Sequence, residues 1–371
     1  MPILKKTTAA NFHGVPVSGF PLILDDDFSV DWLSLNWFLE IYAEGAALTT
    51  LGTYAQHLTD FLSQLSVDGM SFQDVHDAWI AVYRNCLIER GNTQSYASQV
   101  LRTVLSYLYW LETEGYVYNL VGQGRAFRVR VKLSDAGVMS HPAMKVSSSV
   151  KANRPTPRIE WIDKIKLFGP KSEHLAARFE LMVDWGSAMG LRAHEITNLK
   201  INSLPSLDTA LNAIDGSYDL AITLKVTKGS KPRTIPVSPL LIKNTWEFIF
   251  TEREQVVSKW KRRAVKKREV YKDSGFVFLS DTTGESLCPR SLSNQVRSAW
   301  KEAVAAEMLT SDEPVWTHGL RHCSLKTTHD HLFLAGVERA ESVVRQVAGH
   351  SSEGAIDTYI GVDVYSRGWD G

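Results

Sequence analysis

The sequence predicts a mainly α-helical protein of two domains with one small antiparallel β-sheet, an α+β fold. Its 371 residues, 44% apolar and 22% charged, suffice for two or three hydrophobic cores. Apolar residues recur at helical spacing along most of the chain, and the clearest alternation typical of a strand is confined to one segment. A basic stretch containing glycine, serine and proline separates a helical N-terminal part from a mixed C-terminal part.

The N-terminal part contains four amphipathic helical patterns. In the first, apolar residues recur at helical spacing over residues 32–42, and in the last over residues 100–111. The many aromatic residues of these patterns are interpreted as core residues. We therefore predict an extension over residues 1–28, followed by a four-helix domain over residues 29–118.

The chain changes character after the fourth helical pattern. Residues 119–158 are predicted to form a linker, and residues 159–371 a mixed domain. Within this domain, helical spacing returns over residues 175–189. Apolar residues then alternate with a period of two over residues 218–226, and the segment RTIPV, residues 233–237, follows as a return strand. These patterns predict one β-hairpin among helices.

Charge is balanced overall but unevenly distributed. The chain has 41 basic and 41 acidic residues, which by itself argues against a nucleic-acid partner. However, residues 119–158 contain eight Lys or Arg against one acid, and so do residues 259–272. Either block alone is equally compatible with a solvated surface, whereas two blocks in a neutral protein favour a polyanion bound at two places. The predicted contact residues are Arg125, Arg128, Arg130, Lys132, Lys151, Arg154, Lys259, Lys261, Arg262, Arg263, Lys266, Lys267 and Arg268.

Several function classes are disfavoured by what the sequence does not contain. The three cysteines lie far apart without a C-x-x-C pair, so neither a disulfide framework nor a cysteine zinc site is expected. No apolar run of about 18 residues and no signal peptide is present, which predicts a cytoplasmic or nucleoid-associated protein without a membrane partner. P-loop, dinucleotide-binding and G-x-S-x-G motifs are absent, which argues against NTP hydrolysis, nicotinamide chemistry and serine esterase chemistry.

Two cationic residues stand at positions suited to binding an anion. Arg192 follows Gly190 at a predicted helix end, where its guanidinium can be held rigidly. Lys228 lies at the predicted hairpin tip, where its long side chain can reach a ligand. The structural alternatives are an arginine paired with Glu195 and a turn that is simply rich in lysine.

Two further pairs lie near the C-terminus. In HGLRH, His318 and Arg321 are three residues apart and therefore share one face of a helix. His350 follows a glycine, and Tyr359 comes nine residues after it. His318 and His322 also allow a metal site to be drawn with later histidines. However, no H-E-x-x-H motif or familiar ligand spacing completes it, so no metal is expected.

Together these side chains would suit a phosphodiester. Fixed cations neutralise the phosphate oxygens as negative charge builds in the transition state. A tyrosine, with a pKa near 10, becomes a nucleophile only beside a base or in a strong positive potential, which His318 or the arginines would provide. Lys228 is the candidate general acid for the departing oxygen.

The order of these residues resembles the tyrosine recombinase family, also called phage integrases. The matching stretches are GLRAHEITNLK, VTKGSKPRTIPV, HGLRH and AGHSSEGAIDTYI. Carried over position by position, the resemblance implies Tyr359 as nucleophile, Glu195 as a supporting residue, and a phosphate-activating set formed by Arg192, Lys228, His318, Arg321 and His350.

The resemblance also implies an architecture and a reaction. Residues 159–371 would be the catalytic domain and residues 29–118 a core-binding domain, the two clamping double-stranded DNA with the basic linker along the duplex. A 3′-phosphotyrosyl intermediate, a free 5′-hydroxyl that attacks a partner strand, and a homo-tetramer on paired sites are implied, with a monomer or dimer when free. Neither metal nor ATP nor another cofactor is implied, because the phosphotyrosine conserves the bond energy.

The chain departs from the family pattern in three respects. The spans from Arg192 to Lys228 and from Arg321 to His350 look longer than in compact members. Twelve residues follow Tyr359, which suggests a short C-terminal exchange segment, and no arm-binding domain is expected before residue 29. The leading hypothesis is a site-specific recombinase; the alternatives are a type IB topoisomerase-like enzyme and a catalytically silent DNA-binding relative.

Overall fold

The computed structural model of the protein divides into two compact units, Met1–Lys151 and Ala152–Gly371. Both units are mainly helical, and every described sheet has two strands. No helix among the described residues is both long enough and apolar enough to cross a membrane. The structure describes residues 1–12, 14–135, 137–146, 154–225 and 232–348.

The first unit is built from four helices with short strands before and after them. The strands pair locally, the first with the fourth and the second with the third, both antiparallel. In chain order the elements are β1 (Ile3–Lys6), β2 (Ala10–Phe12), β3 (Val15–Val17), β4 (Pro21–Leu24), α1 (Trp32–Ala43), α2 (Leu48–Asp68), α3 (Asp77–Glu89), α4 (Gln94–Thr113), β5 (Val121–Gly122), β6 (Val129–Arg130), β7 (Lys132–Leu133) and β8 (Met139–Ser140).

One hydrophobic core holds this unit together. Phe38, Phe61 and Tyr107 from α1, α2 and α4 are fully buried in it, as the aromatic spacing of the sequence suggests. Phe20, within the segment interpreted as an extension, is buried in the same core. Each such side chain removed from water contributes roughly 1.5–3 kcal/mol, which explains why the N-terminal strands pack onto the helices.

Part of the segment expected to be a linker packs into this same core. Leu120, Val121 and Val129 are fully buried there, and Glu112 of α4 accepts hydrogen bonds from the backbone N–H groups of residues 119–121. The glycine, serine and basic content of the segment conceals these few apolar residues. Residues 119–135 and 137–146 are therefore structured as part of the first unit.

The second unit is a helical assembly around one β-hairpin. Strands β9 and β10 pair antiparallel, with Leu220 opposite Val237 and Leu224 opposite Arg233, which confirms the predicted hairpin. Its tip, residues 226–231, lies outside the described residues. In chain order the elements are α5 (Ile159–Lys166), α6 (Glu173–Met189), α7 (Ala193–Thr197), α8 (Leu207–Gly216), β9 (Leu220–Leu224), β10 (Arg233–Val237), α9 (Pro239–Phe248), α10 (Glu254–Lys267), α11 (Pro289–Ala305), α12 (Thr317–Leu334) and α13 (Ala340–Ala348).

Helices α6 and α12 cross in close contact at the centre of this unit. A Cβ atom on Gly186 of α6 would lie 2.9 Å from Cδ1 and 3.2 Å from Cβ of Leu320, a fully buried residue of α12. Ser324, one turn further along α12, donates from Oγ to the Ala188 carbonyl at 3.0 Å. Because α12 carries HGLRH and α6 leads into Arg192, this crossing fixes the distance between the two motifs.

We expect Gly186→Ala to destabilise the protein. A glycine-to-alanine change inside a helix normally gains about 0.5–1 kcal/mol, but overpacking against a buried neighbour costs about 1–3 kcal/mol. Gly52→Ala in α2 is the matched control, because its nearest neighbour, Nζ of Lys6, would lie 3.8 Å away. Calorimetry should show a lower Tm for Gly186→Ala and an equal or higher Tm for Gly52→Ala; equal gains in both would contradict the close crossing.

Candidate active site

Arg192 is held by a turn and by a buried carboxylate. Helix α6 ends at Gly190 in the left-handed conformation (φ 63°), where a Cβ atom would lie 3.1 Å from Oγ of Ser324. The chain then enters α7 with Arg192 at its N-terminus. The Arg192 N–H donates to Oε2 of Glu195 at 2.8 Å, and Nη1 donates to Oε1 at 3.0 Å. The fully buried Glu195 side chain thus fixes Arg192 at both its backbone and its guanidinium.

Arg321 joins the ends of two helices. It is 1% exposed, and its guanidinium donates from Nη1 to the Gly190 carbonyl and from Nη2 to the Ala348 carbonyl. Carbonyls at helix C-termini have no partner within the helix and carry partial negative charge, so a guanidinium satisfies them well. Arg321 therefore brings the arginine motif next to the end of α13.

His318 lies at the start of α12, on the same face as Arg321. Partial burial lowers the pKa of His318, and the positive charges of Arg321 and Arg192 lower it further, although the residue is still accessible to solvent. Its ring meets that of His322 edge-to-face, with centroids 5.0 Å apart. A histidine in this environment is neutral at pH 7 and can accept a proton.

The glycine of HGLRH has a packing reason. A Cβ atom on Gly319 would lie 2.7 Å from the ring of Trp316 and 2.8 Å from Cγ of Pro157. The guanidinium of Arg154 lies over the same Trp316 ring, 5.5 Å from its centroid. The segment just before α5 is thus packed against the beginning of the helix that carries His318 and Arg321.

Two further residues of the site were not identified from the sequence. Arg233 of β10 donates from Nη2 to Oε2 of Glu195 at 2.8 Å and from Nη1 to the Ala348 carbonyl. His194 lies beside it. Burial lowers the pKa of His194, the Glu195 carboxylate partly opposes this shift, and the nearby arginines add to it. The sequence could have indicated Arg233, because alternation in β10 places it on the same face as the buried Ile235 and Val237. An arginine on such a face requires a buried acceptor.

The described residues thus bring part of the predicted site together. Arg192, Glu195, His318 and Arg321 form one cluster at the C-terminal end of α13. The predicted Lys228, His350 and Tyr359 lie outside the described residues and remain predictions.

The predicted DNA-contacting residues of the first unit differ in their surroundings. Arg130 forms an ion pair with Asp77, with Nη2 2.6 Å from Oδ2, and Arg128 donates to the Gln73 carbonyl. Arg125 and Lys132 are exposed, whereas Lys151 lies outside the described residues. Arg128 and Arg130 therefore also have a role within the fold.

Helix α10 and the residue after it contain most of the predicted DNA-contacting residues of the second unit. Lys259 binds Asp281, with Nζ 2.6 Å from Oδ2, and the Arg263 guanidinium lies 4.8 Å from the centre of the Trp260 ring. Most of these basic side chains are exposed to solvent, so the helix presents a positively charged surface. The exposed members are Lys261, Arg262, Arg263, Lys266, Lys267 and Arg268.

The histidines of α12 do not form a metal site with one another. Among the residues that the structure describes, no group of three or more His, Cys, Asp or Glu is placed to hold a metal ion. His329 pairs with the neighbouring Asp330, with Nδ1 3.3 Å from Oδ1.

We expect Arg192→Gln to raise the pKa values of His318 and His194. Removing a nearby positive charge stabilises the protonated imidazole, and Arg192 lowers the pKa values of both histidines. Heteronuclear NMR titration, with signals assigned from His-to-Gln variants, measures the shift. Arg262→Gln on the exposed face of α10 is the control and should leave both pKa values unchanged; equal effects of the two variants would contradict the cluster.

Comparison with known proteins identifies the family. The sequence matches the Phage integrase family over residues 163–364, more than half of the chain. A comparison with curated protein sequences gives no significant match.

Three solved structures share the fold. XerH site-specific recombinase bound to a palindromic difH substrate has a TM-score of 0.54 and 17% identity, covering 85% of this chain and 77% of that one. The Tn1549 transposon integrase in complex with circular intermediate DNA has a TM-score of 0.53 and 15% identity, covering 89% and 95%. A lambda integrase tetramer bound to a Holliday junction has a TM-score of 0.54 and 16% identity, covering 91% and 78%. The family match extends across the cluster of Arg192, His318 and Arg321, and the chain therefore belongs to the phage integrase family, the tyrosine recombinases.

Proposed function

We propose that this recombinase cuts DNA through Tyr359 and rejoins the 3′-phosphotyrosyl end to a partner strand. The observation that carries the proposal is the convergence of Arg192, Arg321 and His318 at the end of α13. This helix ends eleven residues before Tyr359. A cationic site immediately before a candidate nucleophile is the arrangement that attack on a phosphodiester requires.

The two arginines would bind the scissile phosphate. Arg192 is fixed by Glu195, and Arg321 by two backbone carbonyls, so both guanidinium groups are oriented before DNA arrives. Preorganised cations stabilise the charge that develops on the phosphate oxygens without reorganisation during the reaction. Removing one such donor typically costs about 10²–10³ in rate.

The covalent steps balance with residues of this chain. The Tyr359 oxygen forms a bond to phosphorus as the bond to the 5′ oxygen breaks, and Lys228 protonates that oxygen. Neutral His318 accepts the phenolic proton, for which its lowered pKa suits it, and His350 belongs to the phosphate-binding set. In the second step the 5′-hydroxyl of the partner strand gives its proton to Lys228 and attacks phosphorus as the bond to the Tyr359 oxygen breaks, and protonated His318 returns its proton to that oxygen. Because the phosphotyrosine conserves the energy of the broken bond, the reaction is proposed to need neither metal nor ATP.

DNA binding is proposed to involve both domains. Residues 29–118 would form the core-binding domain and residues 159–371 the catalytic domain, with the extension over residues 1–28 and the basic segment over residues 119–158 completing the chain. A homo-tetramer on paired sites is proposed by analogy with the lambda integrase tetramer bound to a Holliday junction. The exposed basic side chains of α10 support this proposal, since phosphate contacts supply most sequence-independent affinity.

We expect Tyr359→Phe to abolish the covalent protein–DNA adduct while DNA binding persists. The phenylalanine lacks the nucleophilic oxygen but preserves the ring, so only chemistry is lost. A suicide duplex nicked near the cleavage site traps the adduct, which denaturing gels detect.

Tyr365→Phe is the matched control and should retain adduct formation. A dead Tyr365 variant beside an active Tyr359 variant would show that the nucleophile is Tyr365. Recombination between two paired sites separates a recombinase from a topoisomerase-like enzyme, which would relax supercoils without exchanging partners.

We also expect the double substitution Lys266→Gln and Lys267→Gln to weaken DNA binding at every sequence tested. Each lost phosphate contact lowers the slope of log Kd against log salt by about 0.9, so the slope should fall by roughly 1.8. Fluorescence anisotropy over a salt series measures it. The same change at the exposed Lys5 and Lys6 serves as control; equal slopes for both double variants would exclude α10 as a DNA-contacting surface.

A further inference from the structure

Arg233 connects three parts of the site from a position outside the recognised motifs. It is the first residue of β10, directly after the predicted lysine hairpin tip. Its side chain is 10% exposed, and its two terminal nitrogens bind Glu195 Oε2 and the Ala348 carbonyl. The side chain therefore holds the Glu195 carboxylate of α7 and the end of α13 at the same time.

The Glu195 carboxylate depends on Arg233 for one of its donors. Oε1 accepts from the Arg192 guanidinium, whereas Oε2 accepts from the Arg192 N–H and from Arg233. The carboxylate is fully buried, and a buried charge that loses a donor pays a large desolvation penalty. Without Arg233, the carboxylate would turn toward other donors and shift the Arg192 guanidinium with it.

The Ala348 carbonyl has two arginine donors. Arg233 and Arg321 both donate to it, from β10 and α12 respectively. This carbonyl belongs to the last turn of α13, two residues before His350. Two guanidinium groups at this helix end fix where the chain leaves α13 toward the predicted histidine and tyrosine.

We propose that Arg233 is a positioning residue for strand cleavage, acting on Arg192 through Glu195 and on the segment after α13 through the Ala348 carbonyl. The planar fork of arginine spans both acceptors, which a lysine ammonium cannot do with the same geometry. This role rests on the proposed function. Arg233 would hold in place both the phosphate-binding Arg192 and the segment that carries the nucleophile.

Single-turnover cleavage of the suicide duplex at saturating DNA tests this role. Arg233→Gln should slow adduct formation, by up to about 10², since a misplacement near 1 Å costs that much in rate. The Kd for DNA should stay within twofold of wild type. Arg233→Lys keeps the charge but not the fork, so it should recover only part of the rate.

A double-mutant cycle with Glu195→Gln separates positioning from a general loss of stability. If Arg233 acts through Glu195, the double variant should be about as slow as the slower single variant, because both substitutions break the same bridge. Multiplying rate losses would overturn the coupling. A matched control is Lys166→Gln, which removes a cation bound to Asp163 and Asp184 elsewhere in the unit and should leave the cleavage rate unchanged.

The outcomes distinguish this role from the proposed function. Absence of an adduct with the wild-type protein would overturn the proposed function and this role with it. A normal wild-type adduct, together with an Arg233→Gln rate equal to wild type, would overturn the positioning role alone. A rate loss in Arg233→Gln that merely follows the folded fraction, measured by circular dichroism, would also overturn it, as would full recovery in Arg233→Lys.

Discussion

A single buried carboxylate, that of Glu195, organises the candidate active site. Taking an ionised carboxylate out of water is costly unless hydrogen bonds and opposite charges replace the lost hydration. Here the Arg192 backbone, the Arg192 guanidinium and the Arg233 guanidinium supply that replacement. The same contacts fix where both arginines lie. The contacts that stabilise the buried Glu195 carboxylate therefore also orient the guanidinium groups of Arg192 and Arg233. Arg192 is proposed to bind the scissile phosphate.

Helix ends determine where this cluster forms. Gly190 ends α6 in a conformation that only a residue without a side chain adopts at low cost, and Ala348 ends α13. Arg321 reaches the carbonyls at both ends from the buried face of α12. The close crossing at Gly186 sets how near α12 lies to α6. The geometry of the site consequently depends on core packing, because moving α12 outward would separate Arg321 from the Gly190 carbonyl.

Local patterns in the sequence predicted the parts of this arrangement that depend on local rules. Alternation predicted the hairpin, and motif spacing predicted Arg192, His318 and Arg321 as members of one site, which the structure places in one cluster. The role of Arg233 was not predicted because it depends on a carboxylate 38 residues away and on a helix end 115 residues away. The burial of Leu120 and Val129 was not predicted for a different reason: isolated apolar residues among glycine and basic residues have no periodicity. Local sequence patterns do not reveal hydrogen-bond acceptors that are distant in the chain, nor core residues that follow no periodicity.

The charge balance of the cluster indicates how DNA would alter it. The cluster contains three guanidinium groups and one carboxylate, so positive charge is in excess. Arg192 and Arg233 contact the Glu195 carboxylate, and Arg321 donates to the Ala348 carbonyl. Burial lowers the pKa of His318, and the positive charges of Arg321 and Arg192 lower it further, which keeps the imidazole neutral and able to accept a proton. A phosphate entering between Arg192 and Arg321 would neutralise part of that charge and raise the affinity of His318 for a proton at the moment when the tyrosine must lose one. Binding of the substrate anion would thereby make the proposed base stronger, which links phosphate recognition to nucleophile activation through electrostatics alone.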